Sequence, residues 1–359
     1  MIHVAIIAGG KGERFWPFST RENPKQLLKI ASDKTMLEET LDRVSDFVPL
    51  EQTVIVTGEN IRKQILERHP SLKESNILAE PFGKNTCLAV GFAAIHLHKK
   101  DPNGVMIVLS ADHYIKPKER LIDILRFGAA IAERDDVLIT LGINPTRPET
   151  GYGYIELGEQ YDSFDGLISF RVKQFKEKPN RTLAQQYYIG RMHMWNSGMF
   201  IWSAKSILNA ISRCKPEMYK LLTDYAEKIG TSGEANARLE LFEKAEGVSI
   251  DVGVLEEANN VVVIKADLIW DDIGSWLALE RISPKDKDNN VSIGDTILHE
   301  SFEISTVNSG DGILATLGVS DLVIVKTNSV VLVAHKTRVN DIKSLLARMK
   351  DDPRYDQYL

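Results

Sequence analysis

The chain has 359 residues, 43% of them hydrophobic and 26% charged, and 44 Lys and Arg against 50 Asp and Glu leave a net charge of −6. That length suits about two domains with a large buried core, and the acidic balance excludes a broad grip on nucleic acid phosphates, so any bound anion must be met by local cations. Cys87 and Cys214 form no CxxC, zinc or disulfide pattern, and no leader or long apolar run appears, so a soluble cytoplasmic protein with no membrane partner is expected.

In the N-terminal half, β-branched runs alternate with helical patterns, as in βαβ units around a mainly parallel sheet. Strands are predicted at residues 4–7, 53–56, 105–109 and 137–140. Helices are predicted at 36–44, where Met36, Leu37, Thr40, Leu41 and Val44 share a face, and at 60–69, 85–98 and 121–132. Asn85 is a candidate cap for the third. From residue 151 the pattern turns to strands at 152–155, 169–175 and 199–202, read as an inserted β region over the strand ends. Helices follow over 206–244, then a strand at 261–264. The charged stretch 285–290 reads as a linker or exposed loop, followed by short strands, among them 322–325 and 330–333, and a closing helix at 339–349. These divide the chain into regions 1–284 and 285–359.

The first strand runs into Ala8-Gly9-Gly10-Lys11-Gly12-Glu13-Arg14. Such a turn exposes backbone N–H groups to phosphate oxygens, and glycine lets a ligand approach where a Cβ would block it. It is neither a Walker A loop, since no Gly-Lys-Ser/Thr occurs, nor a dinucleotide fingerprint, since Phe15 stands at the third glycine. Arg14 and Lys25 put two cations beside it, with Pro17 and Pro24 stiffening the connection. Asp112 follows a buried strand, where ligands of open α/β sheets collect, and could hold Mg²⁺; a helix cap is the competing reading. Trp270-Asp271-Asp272-Ile273-Gly274 offers a second carboxylate, or a turn. Polar islands at Glu80–Asn85, Gly153, Glu177-Lys178, Asn196 and Asp251 carry the residue types that hydrogen-bond vicinal hydroxyls. Cys87 reads as core, and no Ser-His-Asp or HExxH arrangement is visible.

Taken in order, AGGKGERFWPFSTRENPKQ, EPFGKNT, SADH, GYGYIE, FKEKP, WNSGMFIW, SID and WDDIGSW resemble the sugar-1-phosphate nucleotidylyltransferases over nearly the whole chain, in the branch of the mannose-1-phosphate guanylyltransferases. The resemblance implies an α/β fold, a GT-A/Rossmann-like nucleotidyltransferase core (1–284) with a mixed, mainly parallel sheet flanked by helices, plus a small C-terminal β-rich domain (285–359). It implies transfer of GMP from GTP to α-D-mannose 1-phosphate with Mg²⁺, giving GDP-mannose and diphosphate. Ala8, Gly9, Gly10, Gly12 and Arg14 would then cradle the triphosphate, Lys25 would neutralise charge at the α-phosphorus, and Glu80 and Asn85 would lie near guanine and ribose. Asp112 and Asp272 would bind the metal, Gly153, Glu177, Asn196 and Asp251 the sugar, and Lys178 its phosphate. Glu13, Lys84, Ser110 and Asp271 depart from the family's commoner Thr, Arg, Pro and Ser, and Asp271 or Asp272 stays open as second ligand. The isomerase domain of bifunctional relatives is expected to be absent. Without hexapeptide repeats, no left-handed β-helix tail is expected either. A guanylyltransferase for another sugar 1-phosphate, such as a heptose, and a catalytically silent nucleotide-sugar sensor are the alternatives. A homodimer through the C-terminal strands is one arrangement; their capping of the catalytic domain is the other.

Overall fold

A computed structural model of the chain describes residues 1–10 and 12–359. The strands β1 (Ile2–Ile7), β2 (Thr53–Gly58), β3 (Ile77–Glu80) and β4 (Val105–Ser110) lie parallel in the order β3-β2-β1-β4. Their apolar runs are buried on both faces, as parallel strands between helix layers require. The described residues fall into two units, the first comprising Met1–Gly9, Thr40–Ala111 and Ile115–Trp270 and the second Gly10–Glu39, Asp112–Tyr114 and Asp271–Leu359.

In the first unit the sheet continues through β9 (His193–Ser203), β6 (Leu138–Ile143), β10 (Val261–Ala266), β8 (Leu167–Lys176) and β7 (Tyr154–Phe164), nine strands in all. β10 is parallel to β6, whereas β9 runs antiparallel between β4 and β6. This corrects the expectation of a β region laid over the strand ends: its strands belong to the same sheet, β9 in the middle and β8 and β7 at one end. Asn196 and Ser197 interrupt an otherwise apolar run, so the pattern revealed only its last third. Phe200 and Trp202 of β9 join the core beneath α3 (Asn85–Lys100), α6 (Ala204–Cys214), α7 (Pro216–Ala226) and α8 (Glu234–Lys244). Ile201 points the other way, and its Cδ1 would meet a Cβ on Gly128 of α4 (Lys118–Arg134) at 2.4 Å. Helices therefore cover both faces, as the period of two along a strand dictates. The remaining helices α1 (Met36–Val44), α2 (Glu59–Arg68) and α5 (Arg181–Gly190) and the three-residue strands β5 (Tyr114–Lys116) and β11 (Ile269–Asp271) complete the N-terminal elements. None of the helices among the described residues is long and apolar enough to cross a membrane.

The second unit stacks β12 (Val291–Ile293), β14 (Ser305–Asn308) and β16 (Leu322–Lys326) in parallel, with β17 (Val331–His335) antiparallel at the edge. A second parallel ladder joins β13 (Thr296–His299) to β15 (Leu314–Leu317). The one-turn helix α9 (Leu279–Ile282) precedes these strands and α10 (Ile342–Lys350) follows them. The stretch 285–290 folds into a turn: Asp286 accepts the N–H groups of Asp288 and Asn290 at 2.9 and 2.8 Å, and buried Asn290 bonds Ser301 O and Ile304 N–H. The core of this unit also takes in Phe15 and Trp16 from beyond the glycine loop. They pack with Trp276, whose Nε1 donates to Trp16 O at 3.0 Å.

Candidate active site

In the second unit, Gly10 and Gly12 adopt φ of +100° and +63°, the left-handed region that favours glycine. Gly12 has a second reason: a Cβ there would stand 2.4 Å from the Lys25 Cβ. Ser19 Oγ donates to Gly12 O at 2.6 Å and closes the loop. Lys25 Nζ donates to Asp112 Oδ2 at 2.6 Å and to the Asp272 carbonyl at 3.0 Å, so two residues 160 positions apart meet at one ammonium. Exposed Arg14 reaches Gly274 O at 3.5 Å.

Gly274 leaves room for a carboxylate, because its Cβ would stand 2.6 Å from Asp272 Oδ2. Between them buried Ile273 holds φ +42°, an unusual conformation for a β-branched residue and a mark of local strain. The strain is fixed by Asp271, which accepts Ile273 N–H at 2.9 Å and grips Arg281 through both oxygens, with Arg281 Nη2 2.9 Å from Oδ1. Asp271 is thus buried and neutralised. Asp112 and Asp272 each carry the carboxylate oxygens that Mg²⁺ takes and could hold it, and Gly274 leaves room for the second. Among the described residues no group of three or more His, Cys, Asp and Glu is gathered for a metal.

In the first unit, β1 ends at Ile7 and is followed by Ala8, whose N–H donates to Val56 O at 2.8 Å and whose carbonyl accepts from Thr57 Oγ1 at 3.0 Å. A Cβ on the next residue, Gly9, would lie 3.9 Å from Glu80 Oε2. Glu80 closes β3, is buried, and its Oε1 has no hydrogen-bond partner among the described residues. Burial pushes its carboxyl up to about 7. Asn85 is not a cap as expected. It is the first helical residue, at φ +70°, and its Oδ1 accepts the adjacent Thr86 N–H at 2.9 Å rather than one two or three residues on. Lys84 donates to Ala245 O at 3.1 Å and Glu243 O at 3.4 Å, satisfying carbonyls at the end of α8. Cys87 is fully buried and its thiol is pushed up to about 12, as a core residue's would be.

A second cluster in this unit gathers four residues from separate segments. Asn196 Nδ2 donates to Asp251 Oδ1 at 2.8 Å, while Asn196 Oδ1 accepts from Thr140 Oγ1 at 2.8 Å, which fixes the amide's orientation. Gly153 lies between: a Cβ there would stand 2.7 Å from Glu177 Oε2 and 3.3 Å from Asn196 Cβ. Burial, then the nearby Glu177 charge, raises the Asp251 carboxyl to about 7. Lys178 is exposed, sits at φ +44°, and lays its Nζ on Glu177 Oε1 at 2.6 Å. Thr140 escaped the sequence reading because a lone hydroxyl in an apolar strand looks like filler. A polar residue whose strand neighbours are all buried was the available signal.

Residues 3–289 match the family model described as nucleotidyl transferase. Residues 299–349 match a mannoseP isomerase/GMP-like beta-helix domain, which corrects the expectation of no β-helix tail. The region carries two parallel ladders, with no regular hexapeptide repeat to announce them. A mannose-1-phosphate guanylyltransferase of Escherichia coli (strain K12) is 35% identical over 99% of this chain and 75% of its own, and one of Klebsiella pneumoniae is 34% identical with the same coverage. A crystal structure from Thermus thermophilus, described as a mannose-1-phosphate geranyltransferase, superposes with a TM-score of 0.86 at 32% identity, covering 97% of this chain and 99% of that one. With a family model over most of its length and relatives this similar over nearly all of this chain, the chain belongs to the mannose-1-phosphate guanylyltransferase family of nucleotidyl transferases.

Proposed function

We propose that this chain transfers GMP from GTP to α-D-mannose 1-phosphate, giving GDP-mannose and diphosphate, with magnesium as cofactor. An oxygen of the sugar phosphate attacks the α-phosphorus as the bond to the β-phosphate oxygen breaks, and diphosphate leaves in line. A phosphate monoester has its second pKa near 6 and is mostly dianionic at pH 7, so no general base is needed. The obstacle is repulsion between two polyanions, which preorganised cations relieve.

The residues divide by this need. Gly9, Gly10 and Gly12 offer backbone N–H groups to the triphosphate, Ala8 fixes the start of their turn through its own N–H on Val56 O, and Arg14 and Lys25 supply charge to it. Glu80, with a carboxylate oxygen lacking a protein donor, is suited to a base bearing N–H donors such as guanine, with Asn85 toward the ribose. Asp112 and Asp272 would hold magnesium, which when bound supplies further positive charge against the developing charge on the phosphates. Gly153, Glu177, Asn196 and Asp251 hold the sugar hydroxyls, and Lys178 takes the sugar's phosphate. GTP supply makes the cytoplasm the natural compartment.

One observation carries the reading: Gly153, Glu177, Asn196 and Asp251, drawn from four segments, stand together in one polar cluster beside a lysine. The test is diphosphate release over four nucleoside triphosphates and a panel of sugar 1-phosphates. Turnover is expected with GTP and mannose 1-phosphate, and its absence overturns the proposal. Preference for a heptose 1-phosphate selects that guanylyl transfer instead, and nucleotide binding without product selects a silent sensor.

A further inference from the structure

Asp251 opens a π-helical turn, Asp251–Leu255, closed by the Glu256 N–H on Asp251 O at 2.9 Å. Single π-turns cost hydrogen-bond geometry and recur at functional positions. This one presents a carboxylate at each end. Asp251 meets Asn196 of β9, and Glu256 Oε1 accepts the backbone N–H of Glu177, just past β8, at 2.9 Å. The residue so gripped immediately precedes Lys178, whose left-handed φ of +44° is disfavoured for a non-glycine residue and persists only where its surroundings dictate it. Glu256 is itself exposed and its side chain has no packing to fill, so a purely structural role has little to act on.

We infer that Glu256 is a positioning residue for the sugar-phosphate pocket: by holding the Glu177 N–H it keeps Glu177 and Lys178 at a fixed distance from Asn196 and Asp251. The inference rests on reading that cluster as the site of the sugar phosphate. Both ends of one turn then set the spacing of the two strands that supply the pocket. A charged acceptor on a backbone donor makes a strong hydrogen bond. Losing it frees Lys178 to relax toward ordinary backbone angles.

The test uses the full chain with Glu256→Ala and Glu256→Gln, varying each substrate in turn. Glu256→Ala is expected to raise KM for mannose 1-phosphate about tenfold, while KM for GTP stays within about twofold. Glu256→Gln keeps an acceptor oxygen and is expected to recover most of the loss. Amide hydrogen exchange at Glu177 is expected to quicken in Glu256→Ala and not in Glu256→Gln. Unchanged exchange at Glu177 overturns the inference whatever the substrate, as do equal rises in both KM values or a Gln variant as poor as Ala. A wild-type enzyme that ignores mannose 1-phosphate overturns the proposed function instead, and the exchange measurement still decides Glu256.

Discussion

Gly12 and Lys25 pack so closely that a single methyl group on the glycine would stand 2.4 Å from the lysine Cβ. The glycine therefore aims a side chain as well as shaping a loop. Gly12→Ala meets both the contact and the φ of +63°, at about 1–2 kcal/mol for the backbone alone. Lys25 must shift, and a misplacement of about 1 Å can cost about 10²-fold. We expect kcat/KM for diphosphate release to fall by that order with a modest loss of stability in urea. Wild-type kinetics in this variant would show that the position of Lys25 is immaterial.

Lys178→Ala is expected to lower kcat/KM by about 10²–10³, as for loss of one preorganised charge-stabilising contact. Because Lys178 is exposed, the variant should melt like the wild type. Unchanged steady-state kinetics would remove Lys178 from the mechanism.

The three aspartates are separable by experiment. Asp112→Asn and Asp272→Asn are expected to raise the magnesium concentration needed for half-maximal rate and to leave folding nearly intact. Asp271→Asn is expected to leave the magnesium titration in place but to lose about 1–3 kcal/mol in denaturant, since it removes the charge and one of the two acceptor oxygens that hold Arg281. An Asp271 variant that shifts the metal titration as Asp272→Asn does would reverse the assignment.

Buried Glu80 makes stability fall with pH. Its carboxyl titrates at about 7 in the folded chain against 4.5 ordinarily, so between those values the folded state binds more protons than the unfolded one. Its contribution is full below pH 4.5 and is lost as pH rises through about 7, at a cost on the order of 3 kcal/mol. Glu80→Gln removes the charge. Its stability in urea relative to wild type should improve from pH 5 to pH 8, and a pH-independent difference would contradict the burial of an unpartnered carboxylate.

The glycine loop, its cations and Asp112 were legible because their chemistry lies in short strings with few competing uses. The βαβ half was legible because strand and helix periods alternate there. The place of β9 was not, since nothing local distinguishes a strand central to a mixed sheet from one in a separate layer, and Asn196 and Ser197 break its apolar run. Asp251 rides on a π-turn, which has no periodic signature. Glu256 and Thr140 make their side-chain hydrogen bonds to residues far along the chain, which no local pattern announces. Lys84 and Asp271, departures from the commoner family residues, have local tasks of their own in capping α8 and pairing Arg281.

The antiparallel course of β9 between β4 and β6 has a consequence for the nascent chain. The parallel strands β1 to β4 can associate once residue 110 has left the ribosome, but the free side of β4 stays an open edge until residues 193–203 arrive to cover it. For some ninety residues of synthesis a buried-type apolar strand has no partner on that side. Closure of the sheet is therefore a late, long-range event, and the interval before it is when this chain is most exposed to misassociation with its neighbours.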